Sequence, residues 1–470
     1  MKHFYFGKQQ DLHDLVFQYE VMSQKGKVLK LEETAFLQLI DFYEEKQSPE
    51  KALQIVEFGL AQHQLSSDLH IRMARLQLQN QKIELALEFL DRAESFGHHQ
   101  KELKFLRAKA LTMTQNYHEA LSLLYEIKQL HYVTKEELSD IHFQEATVYE
   151  KQELFDQMFY ALKQALLENP ANQRAMERMW ISVELSRKHE ESIYFHRALL
   201  DDDPYAYQAW FNLGHAYYSM NKYEKAIEAF EYAFVINDKF ELAYRDYAEV
   251  CFELKRFDKA LKCYLEALEH FDSDPDILAK VGECYEYLGN VAKAKIYFFR
   301  ALNMDPRSDE VYFHIGECYA AENHLESALH FYKQAIKIDD RREDYLSSLA
   351  NTYYRLGRPD KALPLFRKAI EIAPEQTSYW TEYAGYLLEM GRVYEAIELM
   401  EDAEINSIGA EIQYCKAVCH FKLGQRVQAL NCTGEGLMEN FAAHKLLFEL
   451  APELQADKDV KAIIRYYELD

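Results

Sequence analysis

Glu249, Glu283 and Glu317 recur at intervals of 34 residues. Three carboxylates held in line could take up Lys or Arg side chains from an extended partner. Other groups able to do chemistry are scattered. Cys415 and Cys419 stand one helical turn apart with His420 beside them, a spacing that could begin a metal site but is read as buried structural thiols. Cys284 and Cys318 lie 34 residues apart and are read as core. The other cysteines are Cys251, Cys263 and Cys432, and no Cys-x-x-Cys pair occurs. An odd, helix-embedded set of seven reads as free thiols in a reducing compartment. His189-Glu190 opens like a zinc-protease motif, but Ile193 occupies the place of the second ligand. His98-His99 is read as a loop, and Asp201-Asp202-Asp203 before Pro204 as a solvated turn. No phosphate-binding loop, dinucleotide fingerprint or nucleophile elbow is present. No catalytic residue, metal or cofactor is expected.

The elements that must position these residues follow from one period. Segment 275–308 carries Leu278, Val281, Gly282, Tyr285, Ala294, Phe298, Ala301 and Pro306 at positions 4, 7, 8, 11, 20, 24, 27 and 32. A shift of 34 returns the same types: Trp210, Leu213, Gly214, Tyr217, Ala226, Phe230 and Ala233 in segment 207–240, and Tyr312, Ile315, Gly316, Tyr319, Ala328, Tyr332 and Ala335 in segment 309–342. The register starts at 139, 173, 207, 241, 275, 309, 343 and 377 without an insertion. Weaker repeats start at 33, 67 and 101, and a last one near 410. Positions 4, 7, 8 and 11 form one helical stripe, and 20, 24 and 27 a second. Small residues at 8 and 20 let two antiparallel helices approach, and the ring at 24 fills the space beside them. One such pair cannot bury both its faces, so it must stack on neighbours. Gly289, Gly357 and Gly391 mark turns between helices, and Pro170, Pro204, Pro306 and Pro374 mark helix ends.

Some segments depart from the pattern. Trp180 and Ser192 occupy the two small positions of the 173 repeat, and about four extra residues lie near His131–Lys135. Gln413 and Lys416 stand at apolar positions. Pro364 is expected in the first turn of its helix, where a missing N–H costs little. The chain is thus divided into an N-terminal capping helix within 1–32, degenerate repeats over 33–138, regular repeats over 139–440 and capping helices over 441–470. Val460, Ile463, Ile464 and Tyr467 form the apolar stripe of the last of these.

This pattern resembles the tetratricopeptide-repeat family, whose signature is a 34-residue helix–turn–helix. The resemblance covers roughly 33–440 and identifies the chain with the bacterial-type, cytoplasmic members. It implies an all-α solenoid, a right-handed superhelix of about twelve repeats, in which first helices line a concave groove where most partners bind. The carboxylate clamp of some members needs Lys or Arg and Asn on three successive repeats. Only scattered matches to it occur here, such as Asn212 and Arg245, beside Asp246 and Glu249, so acidic chaperone tails are not expected partners.

With 4, 7, 8 and 11 used in packing, positions 2, 5, 6, 9, 12 and 13 face the groove or its rim. In the 241, 275 and 309 repeats eight of these eighteen are acidic, including Asp246, Glu249, Glu253, Glu283, Glu286 and Glu317, against about one residue in six for the chain. Phe211, Tyr218, Phe252, Phe313 and Tyr354 are expected to supply apolar pockets. Stacked pairs stand roughly 10 Å apart and an extended chain rises about 3.3 Å per residue, which suits a basic residue at every third position. Ordinary solvated helix faces on an acidic protein are the competing reading.

The net charge of −24 repels a phosphate backbone and an anionic membrane surface. No run of eighteen apolar residues occurs, and residues 1–8 hold no signal-peptide core. The expected function is a cytoplasmic, non-catalytic scaffold that binds an extended, basic or amphipathic segment of a protein partner. A structural assembly platform, or a self-associating solenoid, is the alternative.

Overall fold

The computed structural model describes residues 10–24, 30–96 and 100–468. His98-His99 and residues 1–8 lie outside them. The described residues contain 27 α-helices, two short 3-10 turns and no strand. The fold class is an all-α solenoid of helix–turn–helix repeats.

The chain forms two compact units, Met1–Ala243 and Tyr244–Asp470. In the first, the helix Gln10–Gln24 precedes six hairpins: Glu33–Glu45 with Pro49–Gln62, Ser67–Gln79 with Ile83–Ser95, Gln100–Met113 with Tyr117–Lys128, Lys135–Lys151 with Phe155–Glu168, Gln173–Ser186 with His189–Asp202, and Tyr207–Ser219 with Tyr223–Ile236. The boundary falls inside the helix Glu241–Glu253. In the second unit that helix pairs with Phe257–His270. There follow Pro275–Tyr287 with Val291–Met304, Asp309–Ala321 with Leu325–Ile338, Glu343–Arg355 with Pro359–Ile372, Thr377–Glu389 with Val393–Asn406, and Ala410–Lys422 with Arg426–Glu439. Lys445–Leu450 and Lys458–Glu468 close the chain, with Val460 fully buried.

One backbone feature fixes the period. Residue 15 of all twelve hairpins has a left-handed φ between 52° and 76°: Gln47, Gln81, Gln115, Glu153, Arg187, Asn221, Lys255, Gly289, Asn323, Gly357, Gly391 and Gly424. It ends the first helix in a Schellman-type cap, as where Asn290 N–H donates to Tyr285 O at 2.8 Å. Position 20 is fully buried in the ten hairpins where it is Ala, from Ala52 to Ala429.

The departures have physical causes. The extra residues near His131–Lys135 add a turn to the following first helix, which begins at Lys135 and runs 17 residues. Thr134 caps it, and Glu137 returns a bond to the cap N–H, completing a capping box. In the 173 hairpin Trp180 stacks on His215 at 4.7 Å, and buried Ser192 lies 3.1 Å from His196 Nδ1. Gln413 Nε2 and Lys416 Nζ both donate to Glu404, at 2.7 and 2.8 Å, while Gln413 Oε1 is buried without a partner. Pro364 corrects the sequence reading: it is the sixth residue of Pro359–Ile372, inside the helix, and it is Pro359 that takes the first turn.

Candidate functional site

In the second unit Glu249, Glu283 and Glu317 occupy position 9 of three consecutive first helices. Each is held by a donor from its own hairpin. Tyr264 at position 24 donates its hydroxyl to Glu249 Oε2 at 2.9 Å, and Tyr332 at position 24 donates to Glu317 Oε1 at 2.7 Å. In the middle hairpin position 24 is Phe298, which has no hydroxyl, and Lys280 takes the role with Nζ 3.2 Å from Glu283 Oε2. Burial raises the Tyr264 and Tyr332 phenols, and the charges of Glu249 and Glu317 raise them further. They stay protonated donors.

Lys280 also sits 4.9 Å from the centre of the Phe252 ring. Its own burial pulls its pKa down, but Glu283 and Glu249 outweigh that and raise it. Glu286 Oε2 lies 2.9 Å from His314 Nδ1, and the imidazole stacks on Phe298 at 5.4 Å. Burial depresses His314, while its bond to Glu286 and the charges of Glu286, Glu283 and Glu317 raise it above its ordinary value. Asp246 is half-buried and Glu253 exposed.

The aromatic residues divide. Phe252 meets Phe257 edge-on at 5.2 Å, and Phe257 stacks on the exposed ring of Tyr287 at 4.4 Å. Phe313 stacks on Tyr345 at 4.6 Å. Tyr354 lies against Tyr386 and donates to Glu389 Oε2 at 2.8 Å. In the first unit Tyr218 is half-buried against Tyr223 at 5.7 Å. Phe211 is in the core instead, 4% exposed and enclosed by His215, Phe230 and Phe240. It corrects the expectation of an open pocket there.

The cysteines offer no nucleophile. All seven are buried free thiols. Burial, with the charge of Glu283, pushes Cys284 up to about 12, and burial likewise pushes Cys419 up to about 12. His420 Nδ1 is 2.6 Å from Gln425 Oε1. Among the described residues no group of three or more His, Cys, Asp or Glu is placed to hold a metal ion. Asp203 closes its turn by accepting from Tyr205 N–H at 3.0 Å. No described helix is long and apolar enough to cross a membrane.

Two family models, each described as a tetratricopeptide repeat, match the sequence: one at 207–240 and 344–376, the other at 275–308 and 309–341. The chain carries tetratricopeptide repeats. These are protein-interaction modules, and nothing in the matches points to catalysis. A stretch of 100 residues, 21% of the chain, is 31% identical to the RNA polymerase-associated protein CTR9 of Caenorhabditis elegans, of whose length it spans 9%. Among solved structures, YrrB, described as a tetratricopeptide-repeat protein with an unusual peptide-binding site, is 22% identical; the match covers 39% of this chain and 95% of that one, with a TM-score of 0.34. The Cut9–Hcn1 assembly of the APC/C is 14% identical over 92% of this chain and 97% of that one, with a TM-score of 0.40.

Proposed function

We propose that this protein is a non-catalytic scaffold that holds an extended basic or amphipathic segment against the first-helix faces of its second unit. One observation carries the reading: Glu249, Glu283 and Glu317 share a position on three consecutive helices, each oriented by Tyr264, Lys280 or Tyr332. A carboxylate offers about four acceptor sites. The donor already present orients it and leaves capacity for an incoming ammonium or guanidinium. The exposed face of Tyr287 and the half-buried rings of Phe252 and Phe313 supply apolar surface between the charges. The net charge of −24 steers cationic partners in and turns nucleic acid and anionic membranes away. Buried free thiols suit a reducing cytoplasm.

Peptides with Lys or Arg at every third position should bind, and the binding should weaken as salt rises. Replacing Glu249, Glu283 and Glu317 together by Gln should reduce it at least tenfold. Undiminished binding by that variant would sink the proposal.

Self-association is favoured by a different observation. Ile405 and Met438 occupy the same position on successive second helices and are 82% and 67% exposed, and Ile408, three residues after Ile405, is 90% exposed. Light scattering on the wild type and on an Ile405→Lys/Met438→Lys variant separates the two readings, since only self-association predicts a change of mass.

A further inference from the structure

Three contacts between stacked hairpins share one register. The residue at position 6 of a first helix meets the glutamate at position 12 of the first helix before it, 28 residues earlier. Arg72 Nη1 donates to Glu44 Oε2 at 3.3 Å, and Arg178 Nη1 donates to Glu150 Oε1 at 3.0 Å. In the 309 hairpin the same place is held by His314, whose Nδ1 lies 2.9 Å from Glu286 Oε2. Arginine keeps its charge throughout the physiological range, whereas histidine changes charge near neutrality. This one titratable version of the contact falls on the face that carries Glu249, Glu283 and Glu317.

The charged groups around His314 are mostly acidic. Glu286 and Glu283 act on it from the preceding first helix, where Lys280 is bonded to Glu283, and Glu317 acts from its own helix. The preceding second helix offers the Phe298 ring, which stacks on the imidazole at 5.4 Å. Tyr332 of its own second helix is committed to Glu317. From the following first helix Arg355 acts on Tyr332 and bonds Asn323 Oδ1 at 3.0 Å. Burial pulls the His314 pKa down, but the bond to Glu286 and the surrounding carboxylates raise it above the ordinary value of about 6.5. Nδ1 faces a carboxylate oxygen, which accepts, so Nδ1–H stays in both charge states and the proton that leaves is the one on Nε2. The side chain is 22% exposed, so solvent can take that proton. The bond to Glu286 persists while the positive charge goes.

We propose that His314 is a pH-sensitive internal counter-ion of the acidic face, which holds off a basic segment when charged and admits it when neutral. This rests on the reading that the first-helix face of the second unit takes up such a segment. The imidazolium offsets one carboxylate charge and repels an incoming ammonium or guanidinium. As pH rises through the raised pKa, above about 6.5, the face gains one net negative charge without a rearrangement. Carboxylates and ammoniums ordinarily titrate well outside that window. The imidazole is therefore the group of this face that changes charge within it.

The test uses the full-length protein and an N-terminally labelled, C-terminally amidated peptide with Arg at every third position, whose own charge is constant. Fluorescence anisotropy at low, fixed ionic strength gives its affinity from about pH 6 to about pH 9. Wild-type affinity should rise about threefold across that range. His314→Gln should bind with the high-pH affinity throughout. His314→Arg, which copies the contact made by Arg72 and Arg178, should bind with the low-pH affinity throughout. A merely structural role would weaken both variants alike. An equal rise with pH in the wild type and His314→Gln, or a fall in the wild type, would overturn the inference and leave the binding reading standing. No binding of the peptide at any pH would overturn both.

Discussion

Gly282 faces the ring of Phe298 so closely that a Cβ at residue 282 would lie 2.5 Å from Cε1. The same approach occurs between Gly214 and Phe230, at 2.6 Å, and between Gly316 and Tyr332, at 2.5 Å. Positions 8 and 24 are therefore one joint: a missing side chain on the first helix is the socket for a ring from the second.

Gly282→Leu should destabilise the protein by about 1–3 kcal/mol, because Phe298 is fully buried and has nowhere to retreat. Gly282→Ala should cost less, near the lower end. The Ala74/Leu90, Ala108/Leu124 and Ala146/Leu162 hairpins show another way to fill the joint. Gly282→Ala with Phe298→Leu should therefore recover part of the loss. Denaturant melts of the two single variants and the double variant test this coupling, and strict additivity would mean the two positions do not meet.

Lys255 holds the left-handed turn position with φ 58°, where Gly289 sits in the next hairpin. A Cβ in that region costs roughly 1–2 kcal/mol, partly offset by the greater freedom of glycine in the unfolded chain. Lys255→Gly should therefore stabilise by about 1 kcal/mol. Ala in place of Gly289 should destabilise by a similar amount. Thermal melts moving in the same direction for both substitutions would contradict the assignment of strain to this position.

How far the sequence reveals the structure depends on whether a residue's role is local. The alanines at position 20 state their burial directly, because a small side chain repeated every 34 residues marks where paired helices pack. The turn position shows itself only where it is glycine; Gln47, Arg187 and Lys255 adopt the same φ because the cap around them imposes it. The added turn before position 139 was legible in Thr134-x-x-Glu137, a capping-box signature four residues ahead of the register. Phe211 was misplaced because Phe240, from the next connection, covers it, and a helical wheel holds no record of that. The row of glutamates was legible, and so, fifteen residues on, were Tyr264 and Tyr332. Their pairing depends on a ring leaning across the hairpin, which spacing alone does not dictate.

Lys280 should act as a built-in competitor for the acidic face. Its ammonium bonds Glu283 and covers Phe252, two of the features a basic segment would use. A half-exposed pair of this kind contributes up to about 1 kcal/mol. Lys280→Ala should therefore strengthen binding of a Lys/Arg-spaced peptide by about fivefold, with a steeper salt dependence. Fluorescence anisotropy with a labelled peptide reads both quantities. Weaker binding by Lys280→Ala would show instead that the lysine is needed to shape the face.

His196 should make the first unit acid-sensitive. The imidazole is fully buried at position 24 of the 173 hairpin. Its Nδ1 donates to Ser192 O at 2.9 Å, and its Nε2 is buried without a partner. A second proton would have to sit on that nitrogen. Burial therefore lowers its pKa to about 4, against a smaller upward pull from the Ser192 carbonyl. With the folded value depressed, the neutral ring stabilises the fold fully above the ordinary value of about 6.5. As pH falls from there towards 4 the unfolded chain takes up a proton that the native state refuses, and roughly 3 kcal/mol of stability is lost. Carboxylates titrate in part of the same window, so the comparison must be made within a pair. His196→Leu places at position 24 the residue that three other hairpins use there, Leu90, Leu124 and Leu162. Its melting temperature should fall less steeply than that of the wild type between pH 6.5 and 4. Parallel curves for the two proteins would mean that His196 either takes up its proton in the native state or contributes nothing to the acid transition.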